Sequence, residues 1–242
     1  MIYRAFSLLL CTAGLLYARP EQLVFHGTGA NTARLEEKLA PFREKNPEAN
    51  IRFISLATVC KSMQDARHAA LALQAGVQEI PCLALQDEQG TIACLPLLSL
   101  STANLEQALQ QAQQPERPAL ERARRYRAER YLLFARMAFA NPLEGTELEQ
   151  CLQSCKELMQ HPEATPQERQ LLGFRCLYPL LLRQYTAGYQ GAHTPSTEAK
   201  LLEAIAALEA ARDIDPASPI GREAFAERER LRAARRQARR YE

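Results

Sequence analysis

The rhythm of apolar and polar positions changes once along this chain, near residue 114. Before it, short apolar runs alternate with helical patterns. "QLVFH" reads as a buried strand, "NTARLEEKLAPFREK" as a helix capped by Asn31 or Thr32, and "NIRFISLA" as a strand alternating through Ile51, Phe53 and Ser55. A strand, a helix and a strand in that order predict a right-handed crossover with parallel pairing. A helix around "DARHAALALQAG" follows, then the strands "IPCLALQ" and "TIACLPL", joined as an antiparallel hairpin by the turn "DEQG". The helix "STANLEQALQQAQ", capped by Ser101 or Thr102, closes this half.

"QQPERP", Gln113 to Pro118, places two prolines in polar surroundings and marks the boundary. Everything beyond it is helical in pattern, with helices near 119–140, 146–160, 166–188, 196–213 and 217–241. Pro179 lacks an amide donor and crowds the preceding turn, so it should kink or split its helix. "LEQCLQSCKELMQHPEATP" and "LEAIAALEAARDIDPASP" superpose as a faint repeat with Pro162 and Pro216 aligned, each a helix ending in a proline that starts the next. The fold class this predicts is α/β plus all-α, with residues 19–114 as one domain and 115–242 as the other.

Composition adds a location and removes some partners. Residues 1–18 pair Arg4 with an apolar run to Tyr17 and end in Ala18, the pattern of a cleavable export signal, and predict a periplasmic or secreted protein. The run is too short for a membrane span, so none is expected once it is removed. Thirty basic residues against 28 acidic ones supply no global field for nucleic acid, and Glu121, Glu129, Glu227 and Glu229 interrupt the Arg-rich stretches. Beyond Cys11 in the signal, the cysteines are Cys60, Cys82, Cys94, Cys151, Cys155 and Cys176. Cys151 and Cys155 share a helix face, but no partner pair stands at a metal-binding spacing, so no metal or cofactor is expected.

"AGVQEIPCLALQDEQGTIACLPLLSLSTANLEQAL" resembles the C-terminal half of a thioredoxin fold: Gly76 ends a helix, Val77 and Ile80 lead to Pro81, and Gly90 closes the hairpin before the last helix. Pro41 also matches a proline familiar from that family. The resemblance covers about residues 21–113 and implies a cis Ile80–Pro81 bond beside the functional loop. It also implies that the first helix's N-terminus, Asn31, Thr32, Ala33 and Arg34, together with Ile80 and Pro81, forms a surface that binds extended polypeptide. The family's Cys-x-x-Cys is missing. Alignment on the strand puts Asn31–Arg34 in its place, and alignment on Pro41 shifts it by two residues. Either way both thiols needed for dithiol exchange are gone. The segment "LLEAIAALEAARDIDPASPIGREAFA" resembles a tetratricopeptide repeat junction, which implies a helical-hairpin domain with partner-binding grooves.

These features predict an exported, redox-inactive binding module of chaperone-like or scaffolding type, with a protein or extended peptide as partner and no catalytic residue. The rival is a thiol-disulfide oxidoreductase built on Cys82 with Cys60 or Cys94, since Cys82 directly follows Pro81 and the hairpin brings Cys94 near it in register. A third reading, from the layout of glutathione transferases, lacks that family's acidic-Ser pair in "LLSLSTANLEQ". "HGTGANT" fits neither a P-loop nor a dinucleotide fingerprint, and His26 has no nucleophile in its loop, so it reads as a structural histidine.

Overall fold

The computed structural model describes residues 21–111, 116–139, 143–189 and 194–238. The export-signal pattern of residues 1–18 lies outside them, as do residues 113–115 of the expected linker. The chain divides into two compact units. The first runs through Thr58 and resumes from Ala75 to Glu121; the second takes Val59–Gln74 and the chain from Arg122 onward.

In chain order the elements up to the linker are β1 (Gln22–Gly27), α1 (Thr32–Lys38), α2 (Ala40–Lys45), β2 (Ile51–Leu56), α3 (Met63–Ala75), β3 (Cys82–Asp87), β4 (Gly90–Pro96) and α4 (Thr102–Gln111). The four strands form one mixed sheet in the order β2-β1-β3-β4. β1 runs parallel to β2, with Val24 opposite Phe53, and antiparallel to β3, with Phe25 opposite Cys82. β3 and β4 form the hairpin expected from "DEQG", with Leu83 opposite Leu95 and Ala84 opposite Cys94.

Side chains alternate across a strand, so this register sorts the sheet into two faces. Val24, Leu83 and Leu85 on one face pack with Leu35, Leu39, Phe42, Leu105 and Ala108 from the helices, forming a single core cluster. Leu23, Phe25, Ile54, Cys82 and Ala84 occupy the other face and are also buried. Central strands buried on both faces lose the polar alternation of a one-sided sheet, and "QLVF" and "CLAL" read accordingly.

Two local features depart from the periodicity. The helix expected over "NTARLEEKLAPFREK" breaks at Leu39 into α1 and α2. Pro41 has no N–H to return to the Glu37 carbonyl, so the chain restarts with the proline in the first turn, where that donor is not needed. The β3–β4 ladder also shifts between Leu85 and Gln86. There the buried Gln22 side chain stands in for a strand: its Nε2 donates to the Gln86 carbonyl at 3.0 Å, and its Oε1 accepts from the Gln86 amide at 2.8 Å.

The hairpin turn is tied to the next helix, α5 (Arg117–Phe139). The guanidinium of Arg117, 8% exposed, donates to both carboxylate oxygens of Asp87 at 2.7 and 2.5 Å and to the Gly90 carbonyl at 3.1 Å. Burial works against the Asp87 carboxylate, but the Arg117 hydrogen bonds prevail and hold its pKa below the usual value.

The second unit is helical. Beyond α5 it contains α6 (Gly145–Gln160), α7 (Pro166–Leu172), a π-helical turn at Gly173–Leu177, α8 (Tyr178–Gly188), α9 (Pro195–Ile214) and α10 (Pro219–Ala238). Tyr126, Leu133, Leu148, Leu172, Leu180 and Leu208 are among the residues of its core. Pro179 splits its helix without breaking the run. The Tyr178 amide reaches back to the Gly173 carbonyl, and the resulting π-turn accommodates the donor that Pro179 lacks. The helix expected from residue 166 starts there, and the last helix, expected from 217, starts at Pro219. Thr165 fixes the first start: as the cap it forms a capping box with Glu168, and Pro166 follows as the first helical residue.

Gln170 joins the C-terminus of α9 to the start of α10. It is 2% exposed; its Nε2 donates to the carbonyls of Ala211 and Asp215 at 3.0 and 2.8 Å, and its Oε1 accepts from Ser218 Oγ at 2.9 Å. The approach is so close that a Cβ on Gly221 would lie 2.1 Å from the Asp215 carbonyl oxygen, which reserves this position for glycine.

Candidate functional site

The turn from β1 into α1 is closed by the Ala30 amide on the Gly27 carbonyl at 3.3 Å, with Gly29 in the left-handed region at φ 83°. Asn31 is the cap. Its Oδ1 accepts from the amides of Ala33 and Arg34 at 3.0 and 3.4 Å, so two of the helix's first donors are already satisfied. Asn31, Thr32, Ala33 and Arg34 are all exposed. His26 is buried at the foot of the turn, its Nδ1 2.9 Å from the Gly27 carbonyl oxygen and its ring 6.3 Å from that of Phe53. A carbonyl only accepts, so Nδ1 carries the proton and the side chain locks the corner in place.

The antiparallel pairing of Phe25 with Cys82 brings the start of β3 to the end of β1. Pro81, joined to Ile80 by a cis peptide bond, immediately precedes that pair. Ile80 meets the corner directly: a Cβ on Gly27 would lie 3.6 Å from Ile80 Cδ1. On the other side, the Leu97 amide donates to the Pro81 carbonyl at 2.9 Å and ties in the short 3-10 turn Leu97–Ser99. Ile80 is 44% exposed and Leu98 in that turn 76%. Two exposed aliphatic residues are thus tied to Pro81, Ile80 by the peptide bond and Leu98 as the neighbour of the hydrogen-bonded Leu97. Leu98 is the member that sequence reasoning missed, because in "LPLLSLS" nothing separates the buried Leu97 from its exposed neighbour.

The cysteines divide by unit, and no disulfide joins the six described ones. Cys82 and Cys94 lie on the same sheet face at diagonal positions of the hairpin, Cys82 being opposite Pro96 and Cys94 opposite Ala84. A hydrogen bond from Cys94, with further help from the Phe25 amide, holds the Cys82 thiol below its ordinary pKa despite burial. Cys60 belongs to the second unit, where it hydrogen-bonds Tyr131 and raises that phenol's pKa. Cys151, Cys155 and Cys176 are buried in the helical core. The hydrogen bond with Cys155, reinforced by burial, pushes the Cys176 thiol up, and burial does the same to Cys151. Thiols in that state are inert packing groups.

The helical unit contains a cleft of about 390 Å³ between α5 and α6, lined among others by Glu129, Leu133, Arg136, Glu157, Leu158 and His161. The His161 ring stacks on Tyr126 with centroids 4.9 Å apart. Among the described residues no three His, Cys, Asp or Glu side chains are grouped to hold a metal ion, and no helix is long and apolar enough to cross a membrane. No protein-family model, curated protein or solved structure matches the chain.

Proposed function

We propose that this is an exported polypeptide-binding protein of chaperone-like or scaffolding type, with a thioredoxin-like first unit and a tetratricopeptide-like second one. The observation that carries the reading is the exposure of Ile80 and Leu98, both tied to Pro81 through the backbone, together with an exposed helix start from which thiols are absent. The strand order β2-β1-β3-β4, the parallel β1–β2 pair and the terminal hairpin support the thioredoxin-like assignment. With Asn31 to Arg34 at the corner, the surface binds and releases without forming a mixed disulfide there. Exposed aliphatic side chains grouped around an ordered turn mark an interaction site better than singly scattered ones do. Export rests on the composition of residues 1–18.

The test is binding of a fluorescently labelled, carboxymethylated unfolded polypeptide, which has no thiol of its own. Ile80→Asp and Leu98→Asp should each weaken binding by about 10-fold or more, since burying one such side chain contributes about 1.5–3 kcal/mol. Leu202→Asp, on α9, should leave it unchanged. Equal affinity across all three variants would refute the surface assignment.

A further inference from the structure

The peptide-binding reading makes no use of the two thiols on the back of the hairpin. Their positions are set by the ladder: on one face of β3 and β4, Cys82 and Cys94 are diagonal neighbours. Their exposures differ. Cys82 is 1% exposed, whereas Cys94 is half-buried and reaches the Ala75 carbonyl with Sγ at 3.2 Å. The single hydrogen on Cys94 therefore has two acceptors in reach, that carbonyl and the Cys82 sulfur.

We propose that Cys82 and Cys94 form a reversible dithiol/disulfide couple that is oxidised by an external disulfide, with Cys94 as the entry thiol and Cys82 as the resolving one. In the first step Cys94, as its thiolate, attacks one sulfur of the external disulfide. A mixed disulfide forms, and the other sulfur leaves as a thiolate that takes up a proton. In the second step Cys82 attacks Cys94 Sγ, the intramolecular bond forms, and the second external sulfur leaves and is protonated. The balance is one external disulfide reduced to two thiols and two protein thiols oxidised to one disulfide. Cys82 suits the second step because its thiol is held acidic, and burial excludes it from the first.

The geometry also accounts for reversibility. Diagonal strand neighbours stand about 7–8 Å apart, slightly beyond the span of a relaxed disulfide, so closure shears the hairpin and leaves the bond reducible. Cys155 and Cys176 hydrogen-bond each other as well, but both are fully buried in the helical core, where an external disulfide has no approach. The couple does not rest on the peptide-binding reading and survives if that reading fails.

The test uses the full chain, reduced, dialysed and equilibrated in glutathione buffers of graded oxidised-to-reduced ratio, then acid-quenched, alkylated under denaturing conditions and mapped by peptide mass. The peptides carrying Cys82 and Cys94 should lose alkylation together and appear cross-linked, while Cys151, Cys155 and Cys176 stay alkylated. Excess dithiothreitol should restore both. Cys82→Ala should accumulate the glutathione adduct on Cys94, and Cys94→Ser should leave Cys82 alkylated at every ratio; circular dichroism checks that each variant is folded. Two thiols persisting in the most oxidising buffer, or a stable Cys94 adduct in the unsubstituted chain, would overturn the proposal. So would a cross-link from Cys82 to any other cysteine.

Discussion

Gln170→Met keeps the volume and flexibility of the side chain while deleting its amide: it removes both Nε2 hydrogen bonds and the Oε1 acceptor that shares the single Ser218 hydroxyl hydrogen with the Asp215 carbonyl. The acceptors are not equally affected. Asp215's carbonyl keeps Ser218 Oγ at 2.8 Å and the Ser218 amide at 3.3 Å, so it stays satisfied. Ala211's carbonyl is among the last four of α9, which have no partner within their own helix, and Gln170 is its side-chain donor. At about 1 kcal/mol for each neutral bond, with a further penalty for a carbonyl orphaned in the core, the loss is about 3–4 kcal/mol. The chain has no tryptophan, so urea unfolding is followed by far-UV circular dichroism. With m of about 2 kcal/mol/M, the helical transition should move down by about 1.5–2 M urea. Hydrogen exchange localises the effect, with amides at the start of α10 losing protection first. A shift below about 0.5 M, or protection lost evenly across both units, would show that Gln170 is not the joint described here.

Other expectations follow from the charged and phenolic groups. Asp87→Ala leaves the buried Arg117 guanidinium without its carboxylate, whereas Arg117→Met leaves a carboxylate that is about a third exposed and can rehydrate. The aspartate change should therefore be the more destabilising, at about 2 against about 1 kcal/mol, measured as urea midpoints of the first unit's transition. Because the folded Asp87 pKa lies below 3.8, this contribution is intact above that value and is lost as pH falls through the folded pKa; Asp87→Asn should flatten the stability profile there. Tyr178 behaves in the opposite sense: burial and its 2.6 Å hydrogen bond to Glu227 raise the phenol well above 10, so its contribution holds below pH 10 and falls as pH rises further. Tyr178→Phe should remove that alkaline slope in the thermal melt.

Much of the architecture was legible because single residues carry it. Buried strands and amphipathic helices declare themselves by period, the hairpin by "DEQG", and the cap by the pair Asn31 and Thr32, of which Asn31 serves. The rest depended on what two distant segments do to each other. Gln22 and Gln170 look like ordinary surface residues in the sequence, yet each is buried because its amide completes the backbone hydrogen bonding of another element. The π-turn before Pro179 reflects how the proline is absorbed, a choice between kink and insertion that the residue alone does not make. The candidate surface was half legible. Its polar side and Ile80–Pro81 are proposed from the resemblance, whereas the exposure of Leu98 depends on the turn that hangs on the Pro81 carbonyl.

The proposed function stands or falls with polypeptide docking on the corner between β1 and β3. Hydrogen exchange of the chain, with and without a saturating carboxymethylated unfolded polypeptide, tests it most directly. Protection should rise in peptides covering Gly27–Arg34, Glu79–Cys82 and Leu97–Ser99, and remain unchanged along the cleft between α5 and α6. Protection confined to that cleft, with the corner unaffected, would contradict the account.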